Sequence, residues 1–217
     1  MSPVRTLLVT SALALVSVLG PAVADQAPAE ACENEVIRLL TPVQLVAEAE
    51  SNLENARVAE AAATVRAQFP NIRTLGPTAP PLGLRAQRIY ALALVRADGR
   101  LDSGYGWTRW ANLEWAIQTL TELDQKRGND ARAHADLAEA KTRLPRTRAE
   151  GASVLEDLDQ RDLLGSPYAY LALARARRAA GDDGGAAAAL RRCSMVSTSP
   201  PRCAADFMGE LVTGSRG

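Results

Sequence analysis

The feature that most constrains the fold of this chain is an alanine-rich segment, residues 166–193, which is interrupted once by the run Gly181-Asp182-Asp183-Gly184-Gly185. Alanine and leucine have high helix propensity, whereas glycine and aspartate favour turns and helix ends. The segment therefore predicts one helical hairpin. The whole chain shares this bias, because 47% of its 217 residues are hydrophobic but only 4% are aromatic. We expect helices rather than β-sheets throughout.

Glycine, proline and helical periodicity divide the rest of the chain into further helices. A helix is predicted from about residue 33, with a break around residue 52. Further helices are predicted at 56–69, 84–97, 107–126, 131–144 and 147–160. Together they predict an all-α domain of antiparallel helical hairpins over residues 33–200, with a loop at 70–83 and a C-terminal tail at 201–217.

The first 24 residues have the pattern of a cleaved signal peptide. Arg5 precedes an apolar stretch that is too short for a membrane span, and Ala22-Val23-Ala24 is a small-x-small cleavage motif. We expect the mature chain to begin at Asp25 with a flexible lead-in, 25–32, and to be periplasmic or secreted without a stable membrane span. The formal net charge of zero argues against generic nucleic-acid binding.

Three cysteines in an exported chain allow one disulfide and leave one thiol. Cys193 and Cys203 are ten residues apart, across a turn-rich linker, and predict a local disulfide, with Cys32 left over. Two alternatives stay open, namely pairing of Cys32 with either partner and three reduced, buried thiols.

The hairpin at 166–193 resembles a tetratricopeptide repeat, a helix-turn-helix unit of about 34 residues. With Gly181 at the turn, the residues that match the repeat pattern are Tyr170, Leu173, Ala174, Ala186, Leu190, Cys193 and Pro200. Three other hairpins match less closely, so the chain resembles a degenerate tetratricopeptide array over most of residues 36–200. The chain is also similar to secreted helical-repeat proteins of GC-rich bacteria, a likeness that carries no function.

The tetratricopeptide resemblance implies a stacked solenoid that binds a protein or peptide on the face made by the first helix of each hairpin, and that is not an enzyme. The residues that it places on this face are Tyr168, Leu171, Arg175, Arg178, Ile89, Arg96, Arg132 and Arg143. Several arginines on one face predict a site for an acidic peptide or a free C-terminus. The alternative is that these arginines pair with nearby Asp and Glu.

The tryptophan-rich segment 107–115 provides a second candidate site. Trp107, Ala111 and Trp115 have the spacing of one helix face, and Trp110 points elsewhere. Exposed tryptophans would form a platform for a glycan such as peptidoglycan, which is our alternative function. Tryptophans that bury this segment against neighbouring helices are the simpler interpretation.

Catalytic and cofactor signals are weak in this chain. His134 is the single histidine, so a multi-histidine metal site is excluded. The carboxylates Glu156, Asp157 and Asp159 lie beside basic residues and suit a solvated helix face. No phosphate-binding loop or nucleophile motif is present. We therefore expect no enzymatic activity, no cofactor and no metal site.

Overall fold

The structure, a computed structural model, describes residues 40–101, 106–198 and 203. Those residues contain eight α-helices and no strand, which confirms the all-α prediction. The helices are α1 (Pro42–Glu54), α2 (Val58–Gln68), α3 (Pro81–Arg96), α4 (Arg109–Arg127), α5 (Ala131–Lys141), α6 (Arg148–Gln160), α7 (Pro167–Ala179) and α8 (Asp183–Val196). The predicted signal peptide, the lead-in, Cys32 and all of the tail except Cys203 lie outside the described residues.

Three predicted boundaries are wrong. The helix predicted from about residue 33 is not helical at Leu40 and Thr41, and α1 begins at Pro42, where Thr41 is the N-cap. The first helix does not break around residue 52, because Asn52 is buried within α1. The helix ends later, where the Asn55 side chain donates to the Ser51 carbonyl (2.9 Å) and Ala56 takes a φ of 56°. The predicted loop at 70–83 is too long, because α3 already begins at Pro81. Proline suits the first turn of a helix, where its fixed φ is helical and an N–H group is not needed.

The helices form two layers. Each helix packs on the next one in the chain, and the short connections make such neighbours antiparallel. The odd-numbered helices also pack in series, α1 on α3, α3 on α5 and α5 on α7. No two even-numbered helices approach one another closely in the part of the chain that the structure describes. The odd-numbered helices therefore form a continuous layer, and we call its open side the odd-helix face.

The core is centred on α3 and α7. Every residue from 86 to 95 of α3 is buried, with Tyr90 and Leu92 among the largest side chains. Residues 168–174 of α7 are buried in the same way. Small alanines alternate with leucines in both helices, so that neighbouring backbones come close while the leucines fill the remaining space. None of the helices in the described ranges is both long and apolar enough to cross a membrane.

The sulphur atoms of Cys193 and Cys203 lie 2.04 Å apart, which is the bonding distance of a disulfide. The predicted local pairing is therefore present in the structure. Both cysteines are buried, and Cys193 packs at the last turn of α8, close to the start of α7. The bond ties the beginning of the tail to the last hairpin.

The α5–α6 hairpin depends on a close approach at Gly151. A Cβ atom at this position would lie 2.7 Å from the Ala138 carbonyl oxygen and 2.9 Å from the Lys141 Cβ. Both separations are shorter than any ordinary van der Waals contact. Gly151 therefore allows the backbones of α5 and α6 to touch.

We predict that Gly151→Ala lowers the free energy of unfolding by about 1–3 kcal/mol, because the added methyl group forces α6 away from α5. Gly184→Ala in α8 is the control, since the nearest atom to an added Cβ is there 3.8 Å away. The control keeps or gains stability, by up to about 1 kcal/mol from helix propensity. Urea denaturation followed by circular dichroism measures both, and equal stabilities of the two variants would contradict the close packing.

Candidate functional site

Two depressions follow one another along α7, one at the beginning of this helix and one beside its second half. The first, which we call the central cleft, has a volume of about 430 Å³. Its main lining residues are Glu50, Leu53, Glu54, Arg88, Leu92, Arg96, Arg132, Asp136, Leu163, Tyr168 and Val196. The second, which we call the arginine pocket, has a volume of about 310 Å³. It is lined by Asp98, Arg109, Thr142, Arg143, Arg148, Ala172, Arg175, Ala176 and Ala179.

The spacing of residues along α7 explains why both depressions lie against one side of this helix. Tyr168 lines the cleft and Arg175 lines the pocket seven residues later, and a separation of seven residues returns to the same side of a helix. On α5, Arg132 and Asp136, four residues apart, both line the central cleft, and Arg143, two residues beyond the end of α5, lines the arginine pocket.

Glu50 of α1 lies at the centre of the charged side of the cleft. Its carboxylate accepts hydrogen bonds from Arg85 (Nε, 3.0 Å), from Arg88 (3.1 Å) and from Arg132 (3.3 Å). The Glu50 side chain is only 18% exposed. Burial alone would raise the pKa of this carboxyl, but the hydrogen bond from Arg85 and the charges of the three arginines hold the pKa below its usual value.

Two deeper ion pairs join α3 to α5. Arg88 Nε lies 2.6 Å from Asp136 Oδ2, and Arg96 Nε lies 3.2 Å from Glu139 Oε1. All four side chains are at least nine-tenths buried. Charges that are so far removed from water are tolerated only when each has a well-placed partner. The two pairs therefore fix how α3 and α5 lie against each other.

Tyr168 extends this arrangement to α7. The Arg96 guanidinium stacks over the Tyr168 ring at 3.7 Å from the ring centroid, within the range of a cation–π interaction. Arg96 also donates to the Leu53 carbonyl (3.3 Å), and the Tyr168 hydroxyl donates to the Glu54 carbonyl (3.4 Å). Arg96 and Tyr168 thus connect α1, α3, α5 and α7 beneath the cleft.

The predicted partner-binding residues divide between the two depressions. Arg96, Arg132 and Tyr168 line the central cleft, and Arg143 and Arg175 line the arginine pocket. Arg178 lines neither of them and pairs with Asp183 at 3.4 Å. The other two predicted inward residues, Leu171 and Ile89, are buried in the core rather than presented on a surface. For Arg96, Arg132 and Arg178, the alternative prediction of pairing with nearby carboxylates is confirmed.

Four charged residues of the cleft are not among the predicted site residues, namely Glu50, Glu54, Arg88 and Asp136. In the sequence, Arg88 and Asp136 stand in alanine-rich helices and have the appearance of solvated positions. The sequence holds one signal, since Arg132 and Asp136 are four residues apart and share a helix side. Their burial depends on contacts between hairpins, which spacing within one helix does not show.

The tryptophan segment is built around Arg73 of the α2–α3 connection. The Arg73 guanidinium lies 4.2 Å from the Trp107 ring centroid and 5.0 Å from that of Trp115. The Trp115 indole N–H donates to the Arg73 carbonyl at 3.2 Å, and its ring meets Tyr90 edge-on at 5.6 Å. The expectation that Trp107 shares a helix face with Trp115 is wrong, because α4 begins only at Arg109, but both rings contact Arg73.

Trp107 and Trp110 remain 44% and 48% exposed. Trp110 has the Arg109 guanidinium over its ring at 4.5 Å. Each of these two indoles therefore has one face next to an arginine of the same chain. The exposure of Trp107 and Trp110 is what a glycan-binding platform would require. Trp115 instead packs against Arg73 and Tyr90, as the simpler interpretation predicts.

The remaining candidate groups have structural partners. His134 Nδ1 lies 2.6 Å from Asp124 Oδ1 of α4. Asp159 pairs with Arg177 and Arg192, and Asp157 pairs with Arg161. Within the described ranges, no group of three or more His, Cys, Asp or Glu side chains is arranged to hold a metal ion.

Comparisons of the chain with protein-family models, with curated proteins and with solved structures gave no match.

We predict that Glu50→Gln lowers the free energy of unfolding at pH 7 by about 1–3 kcal/mol, because the neutral amide replaces a charge that neutralises three arginines. Glu48→Gln, at an exposed position of the same helix, is the control and has little effect. Since the pKa of Glu50 is lowered in the folded state, its contribution is full above the ordinary glutamate value of about 4.3 and is lost as the pH falls below it. Thermal unfolding from pH 7 to pH 3 should show the wild-type advantage over Glu50→Gln shrinking in acid; an advantage that grew in acid would contradict the assignment.

Proposed function

We propose that this chain is an exported, non-enzymatic scaffold of the bacterial cell envelope that binds a protein or peptide partner in the central cleft of a tetratricopeptide-like helical array. The proposal of export is based on the N-terminal pattern of residues 1–24. The proposal of a tetratricopeptide-like array is supported by the serial packing of the odd-numbered helices, since such arrays use the first helices of their hairpins as an extended binding surface.

The single observation that carries the binding proposal is the position and lining of the central cleft. Residues from α1, α3, α5, α7 and the end of α8 surround it, so that its shape depends on how all four odd-numbered helices pack. Apolar side chains, namely Leu53, Leu92, Leu163 and Val196, stand beside paired charges. Leu163 and Val196 are each 40% exposed, a value that leaves apolar surface available to a partner.

The charges of the cleft favour one kind of peptide. Its lining holds three arginines (88, 96 and 132) and three acids (Glu50, Glu54 and Asp136), which balance to zero. A purely acidic segment would compete with carboxylates that the arginines already bind. We therefore favour a partner segment that inserts an apolar side chain between Leu163 and Val196 and hydrogen-bonds to the charged side of the cleft.

Glycan binding by Trp107 and Trp110 is the second candidate, and the exposure of both indoles favours it. Aromatic rings of this kind can stack on sugar rings. Sedimentation with purified peptidoglycan separates the two proposals, because glycan binding would be lost in Trp110→Ala and kept in a cleft variant.

We predict that Val196→Asp weakens peptide binding at least about tenfold, because a charge replaces an apolar contact in the cleft. Met195→Asp is the matched control, since Met195 is the neighbouring residue, is 83% exposed and is not part of the cleft lining. Peptides are selected from a displayed random library on the purified mature chain, and fluorescence anisotropy then gives the affinity for each variant. Failure to select any peptide, or an equal loss in both variants, would contradict the proposal.

A further inference from the structure

The end of α8 attaches the C-terminal tail beside the central cleft. Val196, the last residue of α8, and Thr198 both line the cleft. Cys193 lies three residues before Val196 on the same helix and is joined by the disulfide to Cys203. The chain continues beyond Cys203 with residues 204–217. These residues therefore start from a fixed point next to the cleft.

The distances allow the first residues of the tail to enter the cleft. The Cα atoms of Cys193 and Cys203 lie 6.0 Å apart. One helical turn separates Cys193 from Val196, so that the Cα atoms of Cys203 and Val196 are at most roughly 11 Å apart. Four extended residues span up to about 14 Å. Phe207, four residues after Cys203, can therefore contact Val196 while the disulfide is intact.

The tail has the composition of a segment that suits this cleft. Its apolar residues have the spacing of one helix side, which is the pattern of segments that bind in grooves, namely Phe207, Met208, Leu211 and Val212. Two acids and one arginine accompany them in residues 204–217. The tail is therefore not a purely acidic segment, which would compete with the carboxylates of the cleft for its arginines.

The cleft offers apolar surface that such a segment can cover. Leu163 and Val196 are each 40% exposed, whereas the other two leucines of the lining, Leu53 and Leu92, are buried. A volume of about 430 Å³ accepts an aromatic side chain together with its neighbours in a peptide. Removal of the Phe207 ring and of this surface from water would favour their contact.

Attachment at the edge of the cleft favours the tail over a free segment of the same sequence. A short flexible connection gives a tethered segment an effective concentration in the millimolar range. Weak intrinsic affinity is then sufficient for the tail to occupy the cleft. The residues before α1 lack this advantage, because α1 contributes only Glu50, Leu53 and Glu54, at its far end, to the lining.

We propose that the C-terminal tail binds in the central cleft of its own molecule, with Phe207 between Leu163 and Val196, and that a partner must displace it. This inference rests on the proposed function in that it uses the same cleft and the same apolar contact. It adds the segment that occupies the cleft in the absence of a partner. The disulfide keeps this segment attached after displacement, so that it rebinds when the partner leaves.

Photo-crosslinking within the full mature chain tests this occupancy directly. The photoreactive variant Phe207→p-benzoylphenylalanine is irradiated in dilute solution, and crosslinked peptides are identified by mass spectrometry. We expect the main crosslinks to join residue 207 to Leu163 and Val196 of the same molecule. Val196→Asp should lower the crosslink yield about threefold or more, because a charge then replaces an apolar contact. Met195→Asp should leave the yield unchanged, since Met195 is 83% exposed and lies outside the cleft lining.

Circular dichroism verifies that both aspartate variants are folded. The inference is overturned if residue 207 crosslinks mainly outside the cleft or not at all, if the crosslinks join two molecules, or if the two variants give equal yields. No external peptide enters this test. Peptides selected without cleft crosslinks would leave the proposed function standing and refute the tail, and cleft crosslinks without any selected peptide would do the reverse.

The affinity for a selected peptide gives a second readout. A tail that occupies the cleft lowers this apparent affinity, because only molecules with an empty cleft are competent to bind. We expect Phe207→Asp to raise the affinity about threefold or more, since its tail no longer binds the apolar wall. Thr213→Asp adds the same charge outside the apolar pattern of the tail and should keep the wild-type affinity. Equal affinities of these two variants in fluorescence anisotropy would overturn the inference.

Discussion

The buried ion pairs between α3 and α5 are the interaction on which the rest of the structure depends. Arg88 with Asp136 and Arg96 with Glu139 place four charges where water is largely excluded. Removing such charges from water carries a large free-energy penalty, which is offset only if each partner is in place. A shift of α3 along α5 would leave these charges unpaired in the core. The pairs therefore select one register for the two central helices, whereas the alanines around them would permit several.

The candidate sites are consequences of that register. Arg96 is held by Glu139 and stacks on the Tyr168 ring. This contact fixes the position of the first turn of α7 relative to α3 and α5. Arg88 and Glu50 link the same layer to α1. The central cleft combines balanced charges with apolar walls, and the arginine pocket has an excess of arginines over acids in its lining. The two depressions thus differ in the charge of their linings, although α7 contributes to both of them.

Local signals in the sequence were sufficient to predict that the chain is helical and that Cys193 pairs with Cys203. They were not sufficient to predict the contacts between hairpins. Gly128 and Gly181 mark helix ends as expected, and Cys193 is joined to Cys203. Of the residues that the hairpin pattern predicts on one face, Tyr168, Arg96 and Arg132 line the central cleft, and Arg143 and Arg175 line the arginine pocket. Glu50 and Asp136 were missed because a charged residue in an alanine-rich helix has the same local pattern whether water or another helix covers it. Arg178 lines neither depression, because the pocket-lining side of α7 runs through Ala172, Arg175 and Ala179 and Arg178 lies off it.

A double-mutant cycle between Arg88 and Asp136 tests the central claim most directly. Arg88→Met, Asp136→Leu and the double variant are unfolded in urea, and the free energies of unfolding are compared. Arg88→Met leaves the buried Asp136 carboxylate without its main partner, and we predict a loss of about 3–5 kcal/mol. Asp136→Leu leaves Arg88 paired with Glu50 alone, and we predict a smaller loss. The double variant removes both charges and should be more stable than the sum of the two losses implies, by at least about 1 kcal/mol. Strictly additive losses would show that the two side chains are not coupled and would contradict the claim that this ion pair sets the register of α3 and α5.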